Sequence, residues 1–468
     1  MHSNPERRPL LRIMLLALSS ACTVASYRED GLEITPRTWV ATAAAESDFR
    51  DSGPVDLSGA LDLSSLLEMA AGRNPRLAAA RERWLAAAER PAQMRALPDP
   101  LLSYMPMVSH VETRVGPMEA QLQLMQRIPF PGKLAAAGRL AVEEARIREI
   151  DYVIGLRDIV ADIKVSYAEL LYLRKAIRIV EQNGELARQL AEKAASLYGK
   201  QENEERDQVT LFDSLQAQAQ IAQLAYDGIT LEELRCTEEA GLNRLLSRPP
   251  EAPLGMPRDL AWRPLQLGRE DLFRLGLERR QELEAALRQI GAADEAARLA
   301  RLSRVPDFTI GATYTVVGNA MNPVPDGGKD ALGFTLGLSL PIWETKNRAA
   351  LAEAQHRREA ARLDRQAQID DLMARISQAF FRLENAERLV RLYKESLIPQ
   401  AEQAMEIAEQ WRDTGRDTIG RYLEAQSVWL NFQLAFHRAL ADYEQMVARL
   451  EQLAGTSLGP WRCGEDSR

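Results

Sequence analysis

The chain has 468 residues, long enough for two or three ordinary domains, and its 46% hydrophobic and 27% charged residues exclude a disordered polypeptide. The net charge of −8, with no Lys/Arg cluster standing apart from interspersed acids, argues against a nucleic-acid partner. Three cysteines (Cys22, Cys236 and Cys463) exclude a disulfide scaffold and a cysteine zinc site, while a Cys236–Cys463 bridge stays open to an exported chain.

Only 6% of residues are aromatic, and Ala, Leu, Glu, Gln and Arg dominate, which favours long packed helices over a conventional globular core. At the start, Arg7, Arg8 and Arg12 precede the apolar run Ile13 to Leu18, and Ser19, Ser20 and Ala21 lead to Cys22. That is the order of a secretory signal over 1–21, with a run too short to span a membrane as a helix. Leu18-Ser19-Ser20-Ala21-Cys22 also looks like a bacterial lipoprotein cleavage site, in which Cys22 would be acylated. Ser19 departs from that pattern, and cleavage nearby without lipidation is the alternative. Beyond this segment no window approaches ~18 consecutive apolar residues, so no transmembrane helix is expected.

Residues 22–60 carry no clean period and read as an extended arm. Helical sequence runs from Leu61 to about Ala96, where Leu97-Pro98-Asp99-Pro100 stops it. A weak strand at Leu101 to Val108, a loop, and an alternating strand at Met118 to Gln126 form a hairpin over 101–126. After Ile128-Pro129-Phe130-Pro131-Gly132-Lys133 there is no proline as far as Leu197; ~65 residues of helix would be about 100 Å long. Tyr198 to Asp207 turns the chain. In the returning helix Phe212, Leu215, Ala219, Ala222, Tyr226 and Ile229 follow the 3-4 spacing of a coiled-coil seam. Arg248-Pro249-Pro250 ends the first repeat (61–248), and a Pro-rich linker covers 249–269.

The order then recurs over 270–456. A helix stops at Val305-Pro306-Asp307, and a second hairpin follows over 307–340. Phe308, Ile310, Tyr314, Phe334, Leu336 and Leu338 fall on one face of it, and Thr309, Gly311, Thr313, Thr315, Gly333, Thr335, Gly337 and Ser339 on the other. A long helix from Asn347 to Trp411 carries a proline kink at Pro399, Asp413 to Asp417 turns the chain, and a last helix precedes the tail at 457–468. Matched positions stay between 208 residues (Pro98 to Pro306) and 216 residues (Gly199 to Gly415) apart, the mark of an internal duplication. Four strands cannot close a membrane barrel, which needs about eight or more, so the chain is expected to assemble with copies of itself. Three protomers would give twelve strands, with apolar faces to lipid and polar faces to an aqueous lumen.

This order resembles the outer-membrane efflux protein family, the TolC-like channels, over nearly all of 61–456. The residues that carry the resemblance are Asn74-Pro75-Arg76-Leu77-Ala78-Ala79-Ala80, Phe130-Pro131-Gly132-Lys133, Leu340-Pro341-Ile342-Trp343 with Asn347-Arg348-Ala349-Ala350, Leu397-Ile398-Pro399-Gln400-Ala401-Glu402, and Leu423-Glu424-Ala425-Gln426, which also matches Leu215-Gln216-Ala217-Gln218. The resemblance implies a mainly α fold with a transmembrane β-barrel: long antiparallel helical hairpins form a periplasmic α-barrel, and four strands per protomer make a twelve-stranded barrel in a homotrimer. It implies a channel lodged in the outer-membrane lipid of a Gram-negative cell, docked on a periplasmic adaptor (membrane fusion protein) that links it to an inner-membrane pump. Cys22-Thr23-Val24 looks like the start of the lipid-anchored members. The Phe130 to Lys133 stretch looks most like the branch serving heavy-metal pumps of the resistance-nodulation-division type.

No motif supports an enzyme, and no cofactor is implied. His2, His110, His356 and His437 are dispersed without metal-ligand spacing, and His437, in the seam register of the last helix, reads as a hydrogen-bonded packing residue. Met105, Met107, Met118 and Met125 cluster near the first hairpin; thioethers suit copper(I), though ordinary packing is the favoured reading. In the family the two helical turns form the adaptor-docking tips, which here map to Tyr198, Gly199 and Asp207, and to Trp411, Gly415 and Arg416. The family narrows its pore with two acidic rings just past the second turn. Aligned on Gly415 and the following Leu-acid-Ala, the outer position is Arg421 and the inner is Glu424, so only one keeps its sign. Three copies of Glu424 on one axis would attract cations, and Arg421 would pair with a neighbouring acid; an ordinary solvated helix face is the alternative. Two other functions fit the same order: the channel of a type I protein secretion system, and a structural periplasmic coiled-coil protein.

Overall fold

The computed structural model describes residues 57–197, 204–260, 262–321, 324–413 and 419–459; for 110, 194, 197, 204–210, 411–413 and 419 it describes the backbone alone. In chain order the elements are α1 (Leu63–Arg73), α2 (Pro75–Ala88), α3 (Arg90–Arg95), β1 (Leu101–Thr113), β2 (Gly116–Ile128), α4 (Pro131–Leu197), α5 (Glu204–Leu245), α6 (Arg269–Arg279), α7 (Gln281–Leu302), β3 (Asp307–Val317), β4 (Ala331–Ser339), α8 (Glu344–Leu392), a π-helical turn (Tyr393–Leu397), α9 (Ile398–Asp413) and α10 (Ile419–Ala454). The chain folds as two compact units, each drawing on both halves of the sequence. One holds Trp84–Arg148 and Leu287–Arg362; the other holds the described residues up to Arg83, Glu149–Ala286 and those from Leu363 on.

The first unit contains a single antiparallel sheet of order β1-β2-β3-β4, in which the hairpins from the two halves join along β2 and β3. The first hairpin is longer than its sequence pattern predicts. Pro106 interrupts the alternation because it has no N–H to give, and the ladder absorbs this with a register shift between Pro106 and Val111. Gly116, at φ +132°, closes the turn; a Cβ there would stand 1.9 Å from the Gly318 carbonyl oxygen. Beneath the sheet, helices pack through small side chains, with Ala136, Ala141, Ala145 and Ala297 buried, and Arg139 of α4 meets Glu295 of α7 at 3.0 Å.

The second unit is helical. One core joins Leu66, Ala70 and Leu77 of α1 and α2 to Ile163, Tyr167 and Leu170 of α4 and to Leu242 and Leu246 at the end of α5. A second joins Leu272, Leu283, Leu372, Ile376 and Leu383 of α6, α7 and α8 to Tyr443 and Leu450 of α10. Each such leucine contributes about 1.5–3 kcal/mol by leaving water. The expected single helix from Leu61 to Ala96 is instead three pieces. Asn74 is buried and ends α1, its Oδ1 accepts from the Arg76 N–H at 2.9 Å, and its Nδ2 donates to the Leu245 carbonyl at 2.9 Å; Pro75 then opens α2. The expected kink at Pro399 takes the form of the π turn just before it. Pro399 cannot donate to the Glu395 carbonyl, and the widened turn carries Ile398 N–H to Tyr393 O instead. Gly455, at φ +70°, terminates α10.

The seam of α5 does not pack within the chain. Phe212, Leu215, Ala219, Ala222, Tyr226 and Ile229 do share one face, but that face is exposed. Asp213, Ser214, Ala217 and Leu224 point inward instead. Small residues at that interface admit close approach of α4 and α10, which a stripe of large side chains would hold apart.

Candidate functional site

Sheet register decides which side chains share a face. Tyr104, Leu122, Tyr314 and Leu332 are aligned across the four strands, as are Leu102, Leu124, Ala312 and Phe334. Ile310 pairs with Leu336, and Phe308 with Leu338. All of these lie on one face, because pairing conserves face and strands alternate. The opposite face carries Ser103, Gln123, Thr313 and Gly333 in one row, Leu101, Met125, Gly311 and Thr335 in a second, and Met105, Gln121, Thr315 and Ala331 in a third. The apolar face is not covered: Phe334 is 82% exposed and Leu336 79%, and Phe308, Ile310 and Leu338 are exposed as well. Tyr314 is half-buried, with its hydroxyl donating to Asp330. Among the described residues β1 and β4 have no outer neighbour, so both carry free edges.

Asp307, the first residue of β3, fastens the base of this sheet. Its carboxylate accepts from Lys133 Nζ at 2.7 Å, Arg127 at 2.8 Å and the Phe130 N–H at 3.1 Å, and Lys133 also donates to the Val305 carbonyl at 2.7 Å. The Phe130-Pro131-Gly132-Lys133 stretch is therefore clamped to the second hairpin. Sequence reading missed Asp307, because its counterpart Asp99, in the matching Leu-Pro-Asp stop, is exposed. The opposed Lys133 was the available signal.

On α10, Arg421 and Glu424 lie one turn apart on an exposed face, and the residues between them, Tyr422 and Leu423, are buried against Leu190 of α4 and Ala217 of α5. Behind them Gln426 Nε2 donates to Asn183 Oδ1 at 3.0 Å, and Gln220 Nε2 donates to Ser427 Oγ at 2.8 Å. The matched tetrapeptides face opposite ways: Leu423 is 1% exposed, and Leu215 is 56% exposed. Cys22, Tyr198, Gly199, Gly415, Arg416 and Cys463 lie outside the described residues, as do the side chains of Asp207 and Trp411.

Among the described residues no group of three or more His, Cys, Asp or Glu is arranged to hold a metal ion, and no helix is long and apolar enough to cross a membrane. His356 is exposed on α8, and His437 is half-buried on α10, its ring edge-on to Phe436 at 5.2 Å. Met105 and Met125 are spread over β1 and β2 as ordinary strand residues.

Comparison with known proteins gives a consistent result. Residues 272–456 match the family model described as Outer membrane efflux protein. Outer membrane protein OprJ of Pseudomonas aeruginosa is 26% identical over 162 residues, which is 34% of this chain and 33% of OprJ, so the chain matches about a third of that relative's length. The outer membrane protein VceC from Vibrio cholerae superposes with a TM-score of 0.69 at 21% identity, over 85% of this chain and 97% of VceC. The MtrE outer membrane channel of Neisseria gonorrhoeae does so with a TM-score of 0.69 at 16% identity, over 88% of this chain and 95% of MtrE. At these identities the likeness establishes the fold.

Proposed function

We propose that the chain is the outer-membrane exit duct of a tripartite efflux system, passing solute outward without chemistry of its own; the match of residues 272–456 to the outer membrane efflux protein family model and the fold shared with solved outer-membrane channels support this. The sheet carries the reading. It offers an uncovered apolar face, a more polar face rich in Ser, Thr, Gln and Gly, and two free edges. Free edges in hydrocarbon leave backbone groups unsatisfied at several kcal/mol each, and four strands fall short of the about eight that closure needs. A homotrimer of twelve strands satisfies every edge, turns Phe308, Ile310, Tyr314, Phe334, Leu336 and Leu338 to outer-membrane lipid, and lines the lumen mostly with Ser, Thr, Gln and Gly, with Met105 and Met125 among them.

On this reading the helical turns around Tyr198, Gly199 and Asp207, and around Trp411, Gly415 and Arg416, dock a periplasmic adaptor that delivers solute from an inner-membrane pump of the resistance-nodulation-division type. Glu424 and Arg421 face the narrowest part of the duct, and an acylated Cys22 anchors the chain. The cargo class we propose is heavy-metal cations or drugs. Lys133, in the stretch that suggested a metal branch, is occupied by Asp307 and Val305, so its place there follows from the fold and adds no weight to metal cargo. A structural coiled-coil protein would leave the two-faced sheet without a use.

The test is reconstitution of the full-length protein into planar bilayers, together with the mass of the assembly. A trimer with discrete aqueous conductance is expected; a monomer that leaves the bilayer unchanged would overturn the reading. The sensitivity profile of a deletion strain then separates metal, drug and protein cargo.

A further inference from the structure

One cavity of the helical unit holds more acid than base. It measures about 160 Å³ and lies between α4, α10 and the connection at Asp259, with walls of leucine and alanine and with Tyr172, Lys175, Asp259, His437 and Glu444 as its polar groups. His437 and Glu444 are seven residues apart and so share one face of α10. At the rim, Lys175 Nζ contacts Asp259 Oδ2 at 2.9 Å and the two charges cancel. The Tyr172 ring stacks on Arg438, which is itself paired with Glu169 and Asp442.

The imbalance is at Glu444. Glu451 beside it is buried and in contact with Lys164, and the same ammonium is the cation that acts on Glu444. Among the described residues no Lys, Arg or His makes an ion pair with Glu444, and neither Glu444 nor His437 has a side-chain hydrogen bond. His437 does not supply the missing charge, because burial, and then Lys175, lower its pKa against a smaller opposing effect of Asp259. Burial and the neighbouring Glu451, against the pull of Lys164, push the Glu444 carboxyl up to about 7. A part-buried carboxylate such as Glu444, short of a counter-charge, takes up a proton or a cation. A divalent metal ion would need several more oxygen or nitrogen ligands than this cavity offers, whereas an ammonium with an apolar body needs one carboxylate and apolar walls. A cavity of similar size, ~150 Å³, admits benzene.

We propose that this cavity binds a small organic ammonium ion, with the charge on the Glu444 carboxylate and the apolar body against the leucine and alanine walls. The proposal does not rest on the duct reading. It is tested on the full-length, detergent-solubilised protein by saturation-transfer NMR with n-butylammonium, and with n-butanol as the neutral probe of the same shape. Butylammonium binds at least about tenfold more tightly than butanol, and more tightly at pH 8 than at pH 6, because the proton competes for the same carboxylate. Glu444→Gln loses that preference, and Lys175→Ala, which leaves Asp259 uncompensated at the rim, strengthens it. Equal binding of the two probes, an undiminished preference in Glu444→Gln, or no butylammonium binding at either pH would overturn the proposal.

Discussion

Lys164→Met should unfold the helical unit more easily, and by an amount that depends on pH. Lys164 and Glu451 have side chains only 7% and 1% exposed, so the substitution strands a buried carboxylate. Ser457 Oγ at 3.2 Å and the Leu458 N–H at 3.0 Å still donate to it. Breaking a buried pair from one side costs about 3–5 kcal/mol. For cooperative unfolding of a chain this long the unfolding entropy is roughly 1 kcal/mol/K, so the midpoint should drop by about 3–5 °C at pH 8. The loss of Lys164 raises further the folded-state pKa of Glu444, which already stands at about 7. A carboxyl whose folded pKa lies above its unfolded value binds a proton in the native state first, so stability rises as pH falls through that window. The deficit relative to wild type is therefore full above the raised Glu444 value and shrinks toward pH 4.5. Thermal unfolding followed by circular dichroism from pH 4.5 to 8 measures it, with Lys175→Met as the control: its rim partner Asp259 is 65% exposed, and the change should cost less than about 1 kcal/mol. A deficit that stays constant or grows on acidification would refute the charge count.

Phe334→Asp together with Leu338→Asp should remove the protein from the outer-membrane fraction, at roughly 2 kcal/mol for each lipid-facing charge, while Thr335→Asp on the other face is tolerated; recovery of outer-membrane trimers from the double variant would place that face elsewhere. Asp307→Ala, which leaves Lys133 and the Phe130 N–H without their acceptor, should cost about 2–4 kcal/mol in the unfolding of the assembled protein, and Asp99→Ala within about 0.5 kcal/mol; equal effects would remove Asp307 from its role. In bilayers Glu424→Lys should shift ion selectivity from cations toward anions, and unchanged selectivity would move Glu424 off the axis. Cys22→Ser should abolish labelling by a fatty-acid analogue, and persistent labelling would reject acylation there.

The hairpins could be read from the chain because a strand has a period of two and each apolar residue declares its face. Phe308, Ile310, Leu336 and Leu338 all lie on the face their alternation assigns. The long helix after Pro131 was equally plain from its freedom from proline. What the pattern could not reveal was which stripe of a helix packs within its own chain. Leu215 and Leu423 stand in matched tetrapeptides, yet one faces out and the other in: an apolar stripe records that something covers it, and a neighbouring copy covers as well as a neighbouring helix. Asp307 shows a second limit, since a buried anion is recognisable only with its cation, and Lys133 lies 174 residues away. The cavity at Glu444 was invisible for the same reason, because its charge deficit is a sum over two helices and a linker.

The order β1-β2-β3-β4 also settles a question of parity. With an even number of strands in each chain, β4 runs opposite to β1, so a seam between one copy's β4 and the next copy's β1 is antiparallel like every pairing inside the chain. Successive copies can therefore be added around the ring through one repeated kind of seam. Loss of a whole hairpin keeps the alternation, whereas loss of a single strand would force a parallel joint into every seam.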